Sequence, residues 1–511
     1  MNKTQKKFSK RMLVVLSRGW GVQLGHPLLR VLKSKYPDSQ YVGLVHGEGT
    51  FDFLKKQSDI EYKELHLLDA LWNDALDPKN VPSISIDKIE KELGIKSIWE
   101  IIGTVRSLVY DMRTYPLFRY RKTVSDEVMI NLVKIFFVHI KNVFHEYNPD
   151  VIFTHSFVTM YHILLYHYAK KHGVYMFGIG DTKVKGYHFE HDIPEYLLPK
   201  RVEKCYQKNL NDITSSNNYQ KAIDYINKNR QQLDIPDYAS EKNKHLDKEY
   251  KQAIKKIFLL PLYFSKYLYR WIVKVDARNK FKHLDNIGPF IKSKTIIWEY
   301  QAIAFFRKIT FHQISKSDKF IYFPLQYEPE AHTLVQAPYF TNQLELVRMV
   351  AKSLPGEYSL YVKEHPAMLG KRKPGYYKKI MSLPNVTFID YKYTSADVLP
   401  KCTAVVTATG TSSFEAAILK KPSIVFGNDL IIDLPQIYHI TDFTALSALF
   451  QEISSIDYTE KTYDNALMAY ITAVMDCGIE LDYTKLHAGD KEEFLKWAEY
   501  IEYIITYNLS Q

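Results

Sequence analysis

The chain has 511 residues, 46% of them hydrophobic and 24% charged. That composition excludes a disordered chain, and the length exceeds the roughly 250–300 residues at which one core stops growing, so two domains are expected. The formal net charge is +11, and three cysteines, Cys205, Cys402 and Cys477, lie far apart with no CxxC spacing, which excludes a disulfide framework and a zinc ribbon and fits a reducing compartment. The chain opens on a basic tail and a five-residue apolar run, Met12 to Leu16, too short for the roughly 7–15 residues of a signal-peptide core. This reads as a buried first strand entering a Gly-containing loop.

A helix over 26–36 and a strand over 41–49 follow, then a strand over 150–156, a helix ending at Gly173 and a strand over 174–181. Apolar runs alternating with amphipathic helices predict a parallel sheet built from βαβ units. From about 195 to 310 the rhythm is lost. Residues 251–310 hold 13 Lys or Arg against 3 Asp or Glu, an excess of 13 − 3 = +10. Within them, PLYFSKYLYRWIVKV interleaves aromatic residues with Lys266, Arg270 and Lys274; this pattern suits a helix on an anionic membrane surface, and equally a core helix with a solvated basic edge. No nucleic-acid-binding signature accompanies the charge, so no nucleic-acid partner is expected. The rhythm returns at KFIYFPLQYEPEA (319–331) and runs through 342–353, YSLYVKEHP, NVTFIDYK, 395–401, AVVTATG, SSFEAAILKK and PSIVFGN, with a closing helix over 490–507. The expected division is 1–195, a first Rossmann-like domain; 196–317, a helical, basic and aromatic region; 318–485, a second Rossmann-like domain; and 486–511, a C-terminal helix. No apolar run reaches the roughly 18 uncharged residues of a membrane span. The expected location is cytoplasmic.

Ligands of open α/β sheets bind beyond the carboxyl ends of strands, so the residues there carry the chemistry. In AVVTATGTSSFEAAILKK a buried strand ends in Thr409-Gly410-Thr411-Ser412-Ser413 and a helix begins at once; free N–H groups, the helix dipole and several hydroxyls make a phosphate site. Simple N-capping by Thr411 or Ser412 is the plainer reading. Glu415, expected in the first turn of that helix, is placed to accept ribose hydroxyls or to complete a capping box. In YVKEHP, strand alternation sends Lys363 and His365 to one face, where a cation and a hydrogen-bond donor suit a phosphate leaving group; Arg372 follows nearby. Gln326 and Glu328 end the strand that opens the second domain. In the first domain the polar residues after strands are Ser17, Arg18, His46, Glu48, His155, Ser156 and Asp181. Glu48 and Asp181 are the candidate general bases. No helical His spacing supports a metal site, and none is expected.

The motifs FPLQYEPEA, VKEHP and TATGTSSFEAAILKKPSIVFG resemble the donor half of GT-B glycosyltransferases of the capsule polysaccharide biosynthesis type, over about 319–428. The His-Pro pair resembles the one with which bacterial sialyl- and Kdo-transferases hold the CMP phosphate, and the Ser-rich turn the one that holds it from the other side. The resemblance implies an α/β GT-B fold, with two Rossmann-like, doubly wound domains facing a cleft, 1–195 as the acceptor domain and 318–485 as the nucleotide-sugar donor domain. It also implies a nucleotide-sugar donor as substrate, no required cofactor and no metal. His365 would be catalytic, with Lys363, Gly410, Thr411, Ser412, Ser413, Glu415, Arg372, Gln326 and Glu328 at the donor. The acceptor would be a glycan or a lipid-linked sugar, met at the inner face of the membrane. The first half lacks the acidic pair followed by glycine that marks sialyltransferases. CDP-alditol glycerophosphotransferases share the His-Pro and Ser-Ser turns, and that chemistry would need a first-domain histidine, for which His26, His46 and His155 are available. A third reading is a non-catalytic GT-B scaffold.

Overall fold

The computed structural model describes residues 10–109, 124–233, 246–273 and 289–510. Most of the basic tail and Lys274 lie outside the described residues. The first sheet contains β1 (Arg11–Ser17), β2 (Gln40–His46), β3 (Tyr62–Leu67), β4 (Val151–Phe153), β5 (Tyr175–Asp181) and β6 (Tyr187–His191). The second contains β7 (Phe320–Pro324), β8 (Ser359–Lys363), β9 (Val386–Phe388), β10 (Ala404–Thr407), β11 (Ser423–Val425) and β12 (Ile437–His439). A last short strand, β13 (Ile479–Glu480), returns to the first sheet, giving the orders β13-β6-β5-β4-β1-β2-β3 and β12-β11-β10-β7-β8-β9. The second sheet is parallel throughout, and the first is parallel from β5 to β3 with β6 and β13 antiparallel at its edge. Central strands such as β1 and β10 are buried on both faces, because helices cover each side of both sheets. This is the doubly wound α/β architecture that the alternation predicts.

The Gly-containing loop after β1 is helical instead: Arg18–Trp20 and a π-turn, Gly21–Gly25, lead straight into the helix His26–Lys35. The glycines serve close packing. A Cβ on Gly25 would lie 2.6 Å from Leu16 and Trp20 side-chain atoms, and one on Gly21 3.0 Å from the Leu16 carbonyl carbon. The helix Asp126–Tyr147 has the length and hydropathy to cross a membrane, yet Leu132, Phe136 and Ile140 sit in the core beside the first sheet. Length and apolarity here reflect burial.

The chain crosses between the sheets more than once. The helices Lys200–Asn211 and Tyr219–Gln231 pack with Lys461–Cys477 against the second sheet, whereas Lys491–Leu509 returns to the first, burying Trp497, Ile501 and Ile505 beside Leu28 and Leu32. A buried Arg201 ties the crossing point: it pairs with Glu190 of β6 at 2.6 Å and donates to the Cys477 carbonyl and the Tyr500 hydroxyl at 2.9 Å each. Cys205 and Cys477, distant in sequence, hydrogen-bond one another here. The basic region forms helices Leu246–Phe258, Leu260–Val273 and Pro289–Lys308. They pack together, with a Lys256–Glu299 ion pair at 2.8 Å and Phe264 against Phe290, and leave Phe258, Leu262, Tyr269, Ile272 and Phe290 more than half exposed.

Candidate active site

The carboxyl ends of β8, β7, β10 and β11, four neighbours in the second sheet, converge on one edge. Beyond β10 the chain turns at Gly410, whose φ of 115° and ψ of −177° suit glycine alone, and enters the helix Thr411–Ile418. Gly410 itself is the N-cap, with no side-chain capping bond. This removes the capping reading: Thr411 is exposed, Ser412 half-buried, and neither hydroxyl bonds another described residue. Ser413 is different, buried and donating to the Gly410 carbonyl at 2.9 Å. First-turn N–H groups lack intrahelical partners, so the turn offers free donors beside two free hydroxyls.

Glu415 is the fifth residue of this helix, a turn deeper than its expected place. One of its carboxylate oxygens is buried without a partner. Burial pushes this carboxyl up to about 7, against opposing pulls from Ser395 and Lys363. Lys363, the last residue of β8, is buried, and desolvation pushes its ammonium down to about 8 while Glu415 and Glu364 hold it up. The Glu415 carboxyl and the Lys363 ammonium thus favour each other's charge behind the turn.

β8 ends at Lys363, so His365 is not a strand residue sharing its face; it caps the short turn Pro366–Met368 instead. Its Nδ1 accepts the Ala367 N–H at 3.1 Å. A ring nitrogen that accepts is unprotonated, so neutral His365 carries its proton on Nε2, as a donor. Arg372, expected at the donor, is turned the other way. It is buried, 3.1 Å from both Glu364 oxygens, 2.7 Å from the Gln326 carbonyl and 3.3 Å from Glu328. Tyr377 and the His365 N–H complete the shell of Glu364 at 2.6 Å each. Arg372 and Glu328 therefore form the buried frame that fixes the His365 turn, because an unpaired charge there would be costly. Gln326 braces the other side: its amide donates to the Thr409 carbonyl and, at 3.1 Å, to Thr407.

Two residues that the motif reading passed over join the domains at this edge. Asp429, after β11, accepts the Gly410 N–H at 3.1 Å and pairs at 3.1 Å with Lys183 of the β5–β6 turn; both side chains are buried. Lys183 lies two residues past Asp181, and Asp429 follows PSIVFGN, so both stand beside residues that the sequence singles out. Asp181 has a side chain 86% exposed, 3.4 Å from His188. Glu48 begins the helix Glu48–Leu54 after β2. Because β5 and β2 are three places apart in the sheet, at about 4.8 Å per strand the two candidate bases stand roughly 14 Å apart, and they cannot serve one proton. His26, a candidate for the alditol-phosphate chemistry, is held by Asp59 at 3.0 Å and Tyr62 at 2.8 Å. Among the described residues no three His, Cys, Asp or Glu side chains converge as a metal site.

Residues 258–431 match the family described as capsule polysaccharide biosynthesis protein. The matched segment covers about a third of the chain. It holds Lys363, His365, the Gly410–Ser413 turn, Glu415 and Asp429, and it takes in the basic helices from Leu260 onward, which the motifs alone left outside. Lys183, Asp181 and Glu48 lie before it. Comparison with curated proteins finds no match. Among solved structures, Thermosulfurimonas dismutans KpsC, a β-Kdo 2,7-transferase, is 13% identical, over 73% of this chain and 87% of that one, with a TM-score of 0.31. UDP-GlcNAc 2-epimerase from Methanocaldococcus jannaschii, in complex with UDP-GlcNAc and UDP, is 10% identical over 90% and 97%, TM-score 0.27. The N-terminal domain of Candida albicans trehalose-6-phosphate phosphatase is 11% identical over 99% and 98%, TM-score 0.32. At such scores these likenesses carry neither the domain arrangement nor the chemistry.

Proposed function

We propose that the protein is a glycosyltransferase of surface-polysaccharide biosynthesis, taking a sugar from a nucleotide-sugar and passing it to a glycan or lipid-linked acceptor. The observation that carries this is the open turn at Gly410–Ser412, where the Thr411 and Ser412 hydroxyls and the first-turn N–H groups of the helix are unengaged, with Lys363 and Glu415 behind it. The turn and His365 Nε2–H bind the leaving phosphate, and Lys363 adds charge from behind. Glu415 accepts the ribose hydroxyls. As the bond from the sugar's anomeric carbon to the phosphate oxygen breaks, its electron pair goes to the phosphate. The acceptor oxygen bonds that carbon, and its proton passes to a first-domain base. Asp181 suits this role best, since its hairpin reaches the donor turn through Lys183. The protein supplies the positive groups, so this reading needs no metal. The His-Pro resemblance favours CMP as the nucleotide. The exposed stripe Leu262, Tyr269 and Ile272, with Lys266 exposed beside it, fits docking on the anionic inner face of the cell membrane.

Thermal-shift screening against CMP, CDP, UDP and GDP tests the reading. A nucleotide at 100 times its Kd adds about 2.7 kcal/mol of stability. Preference for CMP supports sugar transfer from a CMP-sugar, and preference for CDP moves the chemistry to alditol-phosphate transfer. No response to any of the four overturns the donor site.

A further inference from the structure

The three cysteines are spread along the chain, but the fold brings two of them together where it crosses between the sheets. Cys205 lies in the helix Lys200–Asn211, and Cys477 ends the helix Lys461–Cys477. Arg201, one turn before Cys205 on the same helix face, donates to the Cys477 carbonyl at 2.9 Å. Cys205 Sγ lies 3.9 Å from Oδ2 of Asp476, the residue before Cys477, and 3.8 Å from Asn209 Nδ2. Two turns of one helix thus touch two successive residues of the other, and the two thiols meet there in a hydrogen bond. Both cysteines are half-buried and open to solvent, whereas Cys402 is buried in the core of the second domain.

The two thiols are unequal. Cys477 keeps its proton and gives it to the hydrogen bond. That bond holds Cys205 below the ordinary thiol value against burial and Asp476, with help from Lys208 and Arg201. A thiolate is the form that attacks a peroxide, and a thiol beside it is placed to resolve the product. Cys477 is the last helical residue, and the chain leaves the helix at Gly478, with φ of −84° and ψ of 179°. Its backbone is therefore free on one side to meet the narrow geometry of an S–S bond.

We propose that Cys205 and Cys477 are an oxidative-modification site, a thiol pair that hydrogen peroxide converts into an intramolecular disulfide between the two crossing helices. The Cys205 thiolate attacks one peroxide oxygen: an S–O bond forms, the O–O bond breaks, and hydroxide leaves and takes up the proton that Cys205 gave up, as water. The Cys477 sulfur then bonds that of Cys205, the S–O bond breaks, and a second hydroxide leaves as water with the Cys477 proton. Two thiols are oxidised, one peroxide is reduced and two waters form. The bond closes a loop from 205 to 477 that holds the whole second sheet, and so long a loop restricts the unfolded chain strongly. The site stands whether or not the transferase reading holds.

Full-length protein is reduced, desalted, treated with hydrogen peroxide, denatured in iodoacetamide and digested for mass spectrometry. A peptide linked through Cys205 and Cys477 is expected, from a monomer about 2 Da lighter by the two lost hydrogens, with Cys402 alkylated. The oxidised protein should melt above the reduced one, and dithiothreitol should reverse the rise. In Cys477→Ser, Cys205 should stop as a sulfenic acid that dimedone traps. In Cys205→Ser, peroxide should consume Cys477 at least about tenfold more slowly than in wild type. Both thiols still alkylated after peroxide, a disulfide between two chains, or Cys205 as sulfinic acid beside a free Cys477 would overturn the pair. Equal loss of Cys477 in Cys205→Ser and wild type would overturn it too.

Discussion

The two sheets present carboxyl edges of opposite character. The second-domain edge is a framed anion site: a buried Arg372–Glu364–Tyr377 network sets the His365 turn, and the Gly410 turn above it keeps its hydroxyls open. The first-domain edge gathers the imidazoles of His46, His155 and His162, and among the described residues no ion pair involves His155 or His162. On the proposed reading the framed edge is the one that suits a phosphate, which needs fixed donors and positive charge. Lys183–Asp429 joins the two edges.

That joint gives the largest expected effect. Lys183→Met leaves buried Asp429 without its cation and should cost about 3–5 kcal/mol in denaturant unfolding; adding Asp429→Asn should restore much of it. A loss near zero would mean that the pair does not hold the domains together. Next comes His365→Ala, which should lower turnover about 10²–10³-fold in a folded protein, if Nε2–H meets charge that develops on the departing phosphate. Unchanged turnover would remove His365 from the chemistry and leave the donor edge a binding site only.

The pH dependence of donor binding sharpens the contrast further, since the second-domain edge carries Lys363 and Glu415. Glu415 must be ionised to accept ribose hydroxyls, and its carboxyl is pushed up to about 7, so affinity should rise as pH passes that value. Lys363 must keep its proton, and it is pushed down to about 8, so affinity should fall above that. The limbs belong to the pair jointly. Glu415→Gln should erase the acid limb and weaken binding by about 1–3 kcal/mol; a profile flat from pH 6 to 9 in wild type would contradict the assignment. The smallest effect is at the membrane. Lys266→Glu with Leu262→Ser and Ile272→Ser should release the protein from anionic vesicles, at about 1 kcal/mol per basic residue plus the lost apolar area, and spare activity on a short soluble acceptor. Co-sedimentation of the triple variant would show that the exposed stripe serves something else.

How far each edge could be read from sequence follows from the same difference. The donor edge is local: TATGTSSFE and YVKEHP each put a strand end, a turn and its side chains within a few residues, and strand-to-helix punctuation exposes them. Even so, Arg372 is not open to a donor, and a cation flanked by Lys371 and Lys373 gives no sign that Glu364 and Glu328 will bury it. The first-domain edge is assembled from residues 17, 46, 155 and 162, brought together by the order of β2, β1 and β4. His162 reads as one more residue of an amphipathic helix until the sheet places it between two other imidazoles. The return of β13 and the helix Lys491–Leu509 to the first sheet is equally silent in periodicity, which reports that a helix has an apolar face and not which sheet covers it.

The central claim is that a nucleotide phosphate sits on the Gly410–Ser412 turn. Titration calorimetry of CMP, CDP, UDP and GDP into wild type and into Thr411→Val with Ser412→Ala tests it directly. The account predicts that at least one nucleotide binds wild type, and that this affinity falls about tenfold or more in the double variant while the melting temperature holds. Equal affinity in both proteins, or no binding to either, would contradict it.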